Sequence, residues 1–218
     1  MAFKGVIFDL DGTLLNTIDD LTDAVNAAME QLELRKLSVN EVMSRVGNGF
    51  KVLLERSIPQ DKRTAENINL AYDVFVRRYE QCYADKTSAY DGISELISEL
   101  SDKGIKMAVN TNKRADYAQK LIELHFGVFP FIEVLGEGMG YPKKPEPDGA
   151  LNLAKLMDCE PGEVVYIGDS QTDVATGKNA GMPVIGVSWG FRGRDILKEC
   201  GADYVVDEPH EITDIVLS

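Results

Sequence analysis

Cysteine and histidine are scarce in this chain. Its 218 residues include three cysteines, Cys82, Cys159 and Cys200, without a CxxC pair, and two histidines, His125 and His210. An odd number of widely spaced cysteines argues against a disulfide framework and against a zinc site. Two isolated histidines likewise give no support to a histidine metal cluster or to a Ser-His-Asp triad.

Basic residues and long apolar runs are also in short supply. The 23 Lys and Arg are outnumbered by 36 Asp and Glu, and the formal net charge is -13. Nucleic acids and anionic membranes need clustered positive charge, so neither is expected as a partner. Because no apolar run could span a bilayer and no signal-peptide pattern precedes the first predicted strand, we expect a cytoplasmic location. A small anionic substrate is compatible, since a few local cations or a metal can govern a pocket.

The richest segment is GVIFDLDGTLLN, residues 5–16. Its apolar run, residues 6–8, predicts a strand buried on both faces. The strand leads directly to Asp9 and Asp11, and Gly12 then permits a sharp turn or a close approach to a ligand. Two acids at the end of a buried strand are costly unless a cation or a proton offsets them. The alternative is an acidic solvated turn, which DxDGT after an apolar strand disfavours.

Polar residues that suit phosphate appear at two later positions. A predicted strand over residues 105–109 leads to Thr111 and Asn112, whose hydroxyl and backbone N–H groups could bind a phosphate oxygen or could merely cap the next helix. Lys143 and Lys144 precede a rigid Pro-x-Pro segment. A lysine held there could neutralise a transferring phosphoryl group, whereas the alternative is a solvated basic turn.

A third strand end is acidic. The predicted strand 164–167 is followed by Asp169, and Asp173 comes four residues later at the start of a helix. The carboxyl ends of parallel strands are where α/β proteins place ligands, so Asp9 and Asp169 should meet. Carboxylate oxygens without histidine favour a hard cation, Mg²⁺ above all. For Asp173 alone, a role in complementing the helix dipole is the alternative.

Strands and helices alternate in the second part of the chain, which predicts a parallel sheet with helices on both faces. The stretch after the first strand has helical periodicity without strand-like alternation. We therefore predict an α/β core of residues 1–15 and 86–218, interrupted by a helical domain over residues 16–85. Thr17 and Asp20 have the spacing of a capping box at the first helix of that domain.

The motifs together resemble those of the haloacid dehalogenase superfamily, a group dominated by phosphatases. DLDGT (9–13), Thr111 at its strand end, Lys144 in KPEP and GDSQTD (168–173) match the four motifs of that superfamily in order. The resemblance covers the whole chain and implies a Rossmann-like α/β core. It also implies that the helical insertion is the cap domain that the family carries at this position.

The resemblance implies a role for each motif residue. Asp9 would be the nucleophile that forms an aspartyl-phosphate, and Asp11 would protonate the leaving oxygen and then activate water. Lys144 would bridge the phosphate and Asp9. Mg²⁺ would be held by the carboxylates of Asp9 and Asp169 and by the backbone carbonyl of Asp11, with Asp173 as a ligand or a support.

A finer resemblance concerns the substrate. Three segments are similar to those of phosphoglycolate phosphatases: SRVGNGFKVLLER (44–56), TNK (111–113) and SWGFRG (188–193). Thr111 and the backbone of Asn112 would hold phosphate oxygens. Arg45 is a candidate for a substrate carboxylate, with a surface ion pair as the alternative, and the same choice applies to Lys113. The expected partner is a small phosphorylated metabolite, phosphoglycolate first.

Several alternatives share these motifs. The second acid, Asp11, indicates a phosphate ester or anhydride and disfavours carbon–halogen cleavage, which needs no such proton donor. A phosphosugar mutase, a pyrophosphatase and a nucleotidase remain open within the superfamily. A non-catalytic, phosphate-responsive binding protein is the alternative outside enzymes. The sequence indicates no oligomeric state.

Overall fold

A computed structural model describes residues 3–218, which form two compact units. One unit, here the α/β unit, combines the chain up to Leu15 with Ala89–Ser218. The other, here the helical unit, covers Asn16–Ser88. The helical unit thus extends beyond residue 85, and its identity as a cap stays a prediction.

The α/β unit is built on one six-stranded sheet in which every neighbouring pair is parallel. The strands are β1 (Gly5–Phe8), β4 (Lys106–Arg114), β5 (Phe131–Glu137), β6 (Val164–Gly168), β7 (Val184–Val187) and β8 (Tyr204–Val206). Their order across the sheet is β5-β4-β1-β6-β7-β8. The predicted α/β class with a parallel sheet is therefore confirmed. Two short strands, β2 (Leu15–Asn16) and β3 (Ser88–Ala89), pair in a separate ribbon.

Helices surround this sheet and cover its apolar strands. They are α5 (Ile93–Asp102), α6 (Ala115–Phe126), α7 (Asp148–Leu156), α8 (Gln171–Asn179), α9 (Arg194–Glu199) and α10 (His210–Leu217). The central strand β1 and its neighbour β6 are buried along their whole length, as their uninterrupted apolar sequences predict. Ile7 and Tyr166 lie in the same buried cluster as Leu153 of α7 and Val174 of α8.

The helical unit consists of four helices and a short 3₁₀ turn. They are α1 (Ile18–Gln31), α2 (Val39–Met43), α3 (Phe50–Ser57), the 3₁₀ turn Gln60–Lys62 and α4 (Ala65–Cys82). Its core contains an aromatic cluster in which the ring centroid of Phe50 lies 4.7 Å from that of Phe75 and 5.2 Å from that of Tyr79. Leu70 of α4 is exposed, whereas Phe75 and Tyr79 of the same helix are buried. No helix among residues 3–218 is both long and apolar enough to cross a membrane.

The predicted capping box at α1 is wrong. The side chain of Thr17 makes no capping hydrogen bond, and the side chain of Asn16 instead accepts one from the amide of Ile18 at 3.4 Å. Asp20 is fully buried and accepts hydrogen bonds from the amides of Lys86 and Thr87 at the end of the unit. Because those partners lie more than sixty residues away, local spacing could not identify them.

Strand β4 is longer than predicted. It continues past Val109 through Arg114, so Thr111 lies within the strand and not after its end. Its pairing with β5 changes register between Asn110, which pairs with Leu135, and Arg114, which pairs with Glu137. Over this interval β4 advances by four residues and β5 by two. Such an irregularity re-aims side chains at the end of a sheet. It explains how a polar segment can remain paired while its residues turn toward the same sheet edge.

Candidate active site

Three aspartates meet at the carboxyl ends of two adjacent strands. Asp9 follows β1, Asp169 follows β6, and Asp173 lies in the first turn of α8. One carboxylate oxygen of each lies within 4.8 Å of those of the other two, and all three side chains are buried. The juxtaposition follows from topology, because β1 and β6 are parallel neighbours and so end at the same edge.

Gly12, Gly168 and Gly190 leave room for these carboxylates. Gly12 has a φ of +87°, and a Cβ at this position would collide with the carboxylate of Asp169. A Cβ at Gly168 would collide with the carboxylate of Asp173. Any side chain at one of these positions would therefore displace an acid of the cluster, which explains why glycine stands there.

Two of the three aspartates, Asp169 and Asp173, accept hydrogen bonds from specific donors. The amide of Phe191 donates to Asp169 Oδ2 at 2.6 Å. Ser170 donates to Asp173 Oδ2 from its hydroxyl at 2.6 Å and from its amide at 3.1 Å. These contacts orient the carboxylates without neutralising them, so negative charge stays concentrated at the site.

Lys144 is the cation of this cluster. Its Nζ lies 2.8 Å from Asp9 Oδ1 and 2.7 Å from Asp173 Oδ1, and the side chain is 3% exposed. Asn112 braces the lysine backbone, since Asn112 Oδ1 accepts from the Lys144 amide at 2.9 Å and Nδ2 donates to its carbonyl at 3.2 Å. The following Lys144–Pro145 peptide bond is cis. The neighbouring Lys143 pairs instead with Glu137 at the surface.

The electrostatics of the cluster are dominated by excess negative charge. Burial and the charge of Asp173 raise the pKa of Asp9 to about 7, although Lys144 acts in the opposite sense. Burial, Asp173 and Asp9 raise the pKa of Asp169 well above its usual value. Burial alone would lower the pKa of Lys144, but the carboxylates of Asp173 and Asp9 hold it well above its usual value. One lysine is therefore too little positive charge for three buried carboxylates.

The donor set fits a divalent metal ion. Three buried carboxylates offer hard oxygen ligands at mutual distances that a single ion could bridge. The raised pKa values of Asp9 and Asp169 indicate that a further positive charge would stabilise their ionised forms. The absence of nearby histidine or cysteine from the cluster of described residues favours a hard ion over zinc.

Asp11 lies apart from the three-acid cluster and has its own cation. Lys113 Nζ donates to both carboxylate oxygens of Asp11, at 3.0 and 3.2 Å. The lysine side chain is fully buried, whereas that of Asp11 is 13% exposed. Lys113, expected to bind substrate directly, is thus placed where it also orients Asp11.

The remaining predicted residues divide between the two units. Thr111 is buried, and its hydroxyl accepts a hydrogen bond from the Lys113 amide at 3.2 Å. The side chain of Asn112 contacts Lys144, which leaves its backbone as the group that the sequence assigned to phosphate. Arg45 belongs to the helical unit, where its guanidinium donates to the carbonyl of Glu41 at 2.7 Å.

Two supporting groups were missed by the sequence analysis. Ser170 directly precedes α8 and forms a capping box with Asp173, a spacing that the sequence displays, although the prediction for Asp173 considered only metal binding and the helix dipole. The Phe191 amide comes from a loop 22 residues away from Asp169, and no local pattern marks a backbone donor. Both groups fix carboxylates that the sequence did identify.

The chain is similar to known proteins over nearly its whole length. The profile of haloacid dehalogenase-like hydrolases matches residues 6–187. A phosphoglycolate phosphatase of Psychrobacter arcticus is 31% identical, with 97% of this chain and 95% of that protein covered. One of Chromobacterium violaceum is 33% identical, with 98% and 96% covered. The crystal structure of a candidate phosphoglycolate phosphatase from Lactobacillus delbrueckii has a TM-score of 0.93 at 34% identity, with 100% of both chains covered.

Proposed function

Since the chain belongs to the haloacid dehalogenase-like hydrolase family and is a phosphatase, we propose that it hydrolyses a small phosphate monoester, 2-phosphoglycolate first, through an aspartyl-phosphate. The observation that carries this proposal is the buried cluster of Asp9, Asp169 and Asp173 with Lys144. The choice of 2-phosphoglycolate as substrate is supported by relatives of the chain at about 30% identity, which are phosphoglycolate phosphatases.

A bound divalent ion, Mg²⁺ in this proposal, would be held by the carboxylates of Asp9 and Asp169 and by the Asp11 backbone carbonyl. Asp173 would support it, either as a ligand or through Lys144. When bound, the ion neutralises charge on the phosphoryl oxygens and on the acids around them. The excess of carboxylates over lysine at this cluster supports that need.

The first step requires a carboxylate oxygen of Asp9 to attack phosphorus. The bond from phosphorus to the ester oxygen breaks as the bond to Asp9 forms, and the leaving oxygen takes a proton from Asp11. A carboxylate is a weak nucleophile, so positioning and charge neutralisation carry most of the catalysis. Lys144, held against Asp9 by the brace from Asn112, is suited to stabilise a phosphoryl oxygen.

The second step returns the enzyme to its starting state. Asp11, now ionised, accepts a proton from water as that water attacks phosphorus, and the bond between phosphorus and Asp9 breaks. Inorganic phosphate leaves and Asp9 is again a free carboxylate. The contact from Lys113 supports this role because it holds Asp11 beside, and not inside, the three-acid cluster.

The helical unit would act as the specificity cap, and Arg45 would contribute to recognition of a substrate carboxylate. This part of the proposal rests on the resemblance of residues 44–56 to phosphoglycolate phosphatases. A cytoplasmic location is part of the same proposal, because phosphorylated metabolites are the expected substrates.

The test is phosphate release from phosphoglycolate, sugar phosphates, pyrophosphate and nucleoside monophosphates, each with and without Mg²⁺. We expect a Mg²⁺-dependent preference for phosphoglycolate and a loss of more than about a thousandfold in Asp9→Asn. Lys143→Met is the matched control, because that lysine pairs with Glu137 at the surface and should leave turnover unchanged.

Each other result identifies an alternative. Turnover that survives in Asp9→Asn would contradict the aspartyl-phosphate route. Preference for another ester would keep the mechanism and replace the substrate. Binding of phosphate without turnover on any ester would favour a phosphate-responsive binding protein.

A further inference from the structure

A cavity within the helical unit contains none of the proposed catalytic or metal-binding residues, although Arg45, proposed above to recognise a substrate carboxylate, lies on its wall. Its volume is about 390 Å³, and residues of the helical unit alone line it. Its wall includes Arg35, Arg45, Arg56 and Arg63. These are four of the nine arginines in a chain whose net charge is -13, so positive charge is concentrated here against the overall balance.

Three of these guanidinium groups are held by backbone carbonyls. Arg45 donates to the carbonyl of Glu41 at 2.7 Å, and Arg56 donates to the carbonyl of Arg45 at 3.3 Å. Arg63 donates from Nε and Nη2 to the carbonyl of Ile58, at 3.2 and 3.0 Å. A carbonyl orients a guanidinium but does not neutralise it, and each group has five N–H donors, so donors remain for an anion.

Few carboxylates compensate this charge. Arg35 forms a bidentate pair with Glu41 and is thereby neutralised. Among the residues that line the cavity, Glu33 is the one acid. In the described part of the chain no carboxylate forms an ion pair with Arg45, Arg56 or Arg63. Arg56 and Arg63 are exposed to solvent and Arg45 is half-buried, so the open side of the cavity presents positive charge with which a small anion can pair.

Apart from Glu33 and Ser57, the rest of the wall is apolar. Met29, Leu37 and Ile58 line the cavity and are themselves buried. Leu34 and Pro59 complete this apolar side. A ligand with an anionic head and an apolar body would match both parts of the wall, as is usual for small-molecule sites with a few placed polar groups.

We infer that this cavity is a binding site for a small organic anion, a phosphorylated or carboxylated molecule with an apolar group. The head would contact the guanidinium groups of Arg56 and Arg63, because Arg forms bidentate contacts with such anions. The apolar group would lie against Met29 and Ile58. The site is separate in sequence from Asp9, Asp169 and Lys144, so its existence does not depend on the proposed reaction.

The experiment uses phenylphosphonate, a dianion with an aromatic ring whose carbon–phosphorus bond the proposed reaction does not hydrolyse. It is titrated into the full chain after EDTA has removed divalent ions and has itself been removed by dialysis, so that no divalent ion attracts the probe to the three aspartates. Two-dimensional NMR, including the arginine Nε–H signals, reports which unit responds. We expect saturable shifts at Arg56, Arg63 and Ile58.

The double variant Arg56→Gln/Arg63→Gln removes two of the proposed contacts and leaves Arg45 intact. We expect it to weaken phenylphosphonate binding at least tenfold, which corresponds to about 1.4 kcal/mol. The matched control is Arg77→Gln/Arg78→Gln on α4, which removes the same charge from residues that do not line the cavity. The control should bind as the unchanged chain does, and thermal unfolding verifies that both variants fold.

Equal weakening in the two double variants would show that net charge, and not the cavity, attracts the anion, and would overturn the inference. Shifts confined to the α/β unit, or no saturable shift at all, would overturn it as well. Because phosphate release is not measured here, failure of this inference leaves the proposed phosphatase reaction standing, and failure of that reaction leaves this inference standing.

Discussion

Among the described residues, the helical unit buries one carboxylate, Asp20, whereas the α/β unit buries five charged side chains where β1, β4 and β6 end. Asp20 accepts hydrogen bonds from the amides of Lys86 and Thr87 and from the Thr87 hydroxyl at 2.7 Å. Its lone pairs are used within the protein. Buried charge in the helical unit is therefore a structural device that ties the two ends of that unit together.

The acids of the α/β unit are arranged differently. Asp9, Asp169 and Asp173 are close enough to repel one another, and Lys144 alone bridges two of them. The raised pKa values of Asp9 and Asp169 record this excess of negative charge. Burial alone therefore does not distinguish a functional acid from a structural one. The distinction lies in whether the protein itself satisfies the buried charge.

The largest expected effect on stability comes from substitution of the buried structural acid, Asp20. Asp20→Asn places an amide NH₂ group among backbone donors and removes a charged acceptor, so the free energy of unfolding should fall by about 2–3 kcal/mol. Chemical denaturation of the metal-free protein measures it. Asp23→Asn is the matched control, since its pair with Lys86 is exposed to solvent and should contribute little to the free energy of unfolding.

The complementary variant is Asp9→Asn, which removes one of the three carboxylates that repel one another in the α/β unit. It should leave the metal-free protein as stable as before or more so. If Asp9→Asn and Asp20→Asn destabilised the chain equally, the proposed difference between satisfied and unsatisfied buried acids would be wrong.

A second prediction concerns Lys113, which could orient Asp11 or bind substrate. Lys113→Met keeps a buried chain of similar length but removes both hydrogen bonds to the Asp11 carboxylate. We expect kcat to fall by about tenfold or more while KM changes little, because a mispositioned acid affects the chemical step. Steady-state kinetics on phosphoglycolate measure both constants.

The opposite effect on kcat and KM would change the role assigned to Lys113. A raised KM with unchanged kcat would make Lys113 a substrate ligand, as the sequence analysis expected. Lys143→Met is again the control, because it removes an exposed lysine from the neighbourhood without a contact to Asp11.

The third and smallest expected effect is the pH dependence of metal binding. Burial and Asp173 raise the pKa of Asp9 from 3.8 to about 7 in the metal-free protein. A proton that Asp9 carries below this pH must leave when a cation binds. We therefore expect Mg²⁺ to bind about tenfold more weakly at about pH 6 than at about pH 8, as measured by calorimetry.

The same shift has a consequence for stability. Because the pKa of Asp9 is higher in the folded than in the unfolded chain, ionisation destabilises the metal-free fold. The penalty is absent below the unfolded value of 3.8 and complete above about pH 7. Mg²⁺ should therefore raise Tm more at pH 8 than at pH 6. An equal rise at both values would place the binding ion away from Asp9.

The α/β class, the parallel sheet and the strand ends that bring Asp9 and Asp169 together could be predicted from the sequence. These follow from short-range patterns, since apolar runs specify buried strands and neighbouring parallel strands end at a common edge. Lys144 and Asp173 were also identifiable, because a rigid Pro-x-Pro segment and a helix start hold them at that edge.

What each of these side chains contacts depends instead on how distant segments of the chain fold together. Lys113 meets Asp11 across 102 positions of sequence, Asn112 braces Lys144 across 32, and the amide of Phe191 holds Asp169 across 22. The same holds for Asp20, whose partners lie at the far end of the helical unit. Hydrogen bonds have a reach of about 3 Å and depend on orientation, and no local periodicity encodes orientation between segments that are distant in the chain.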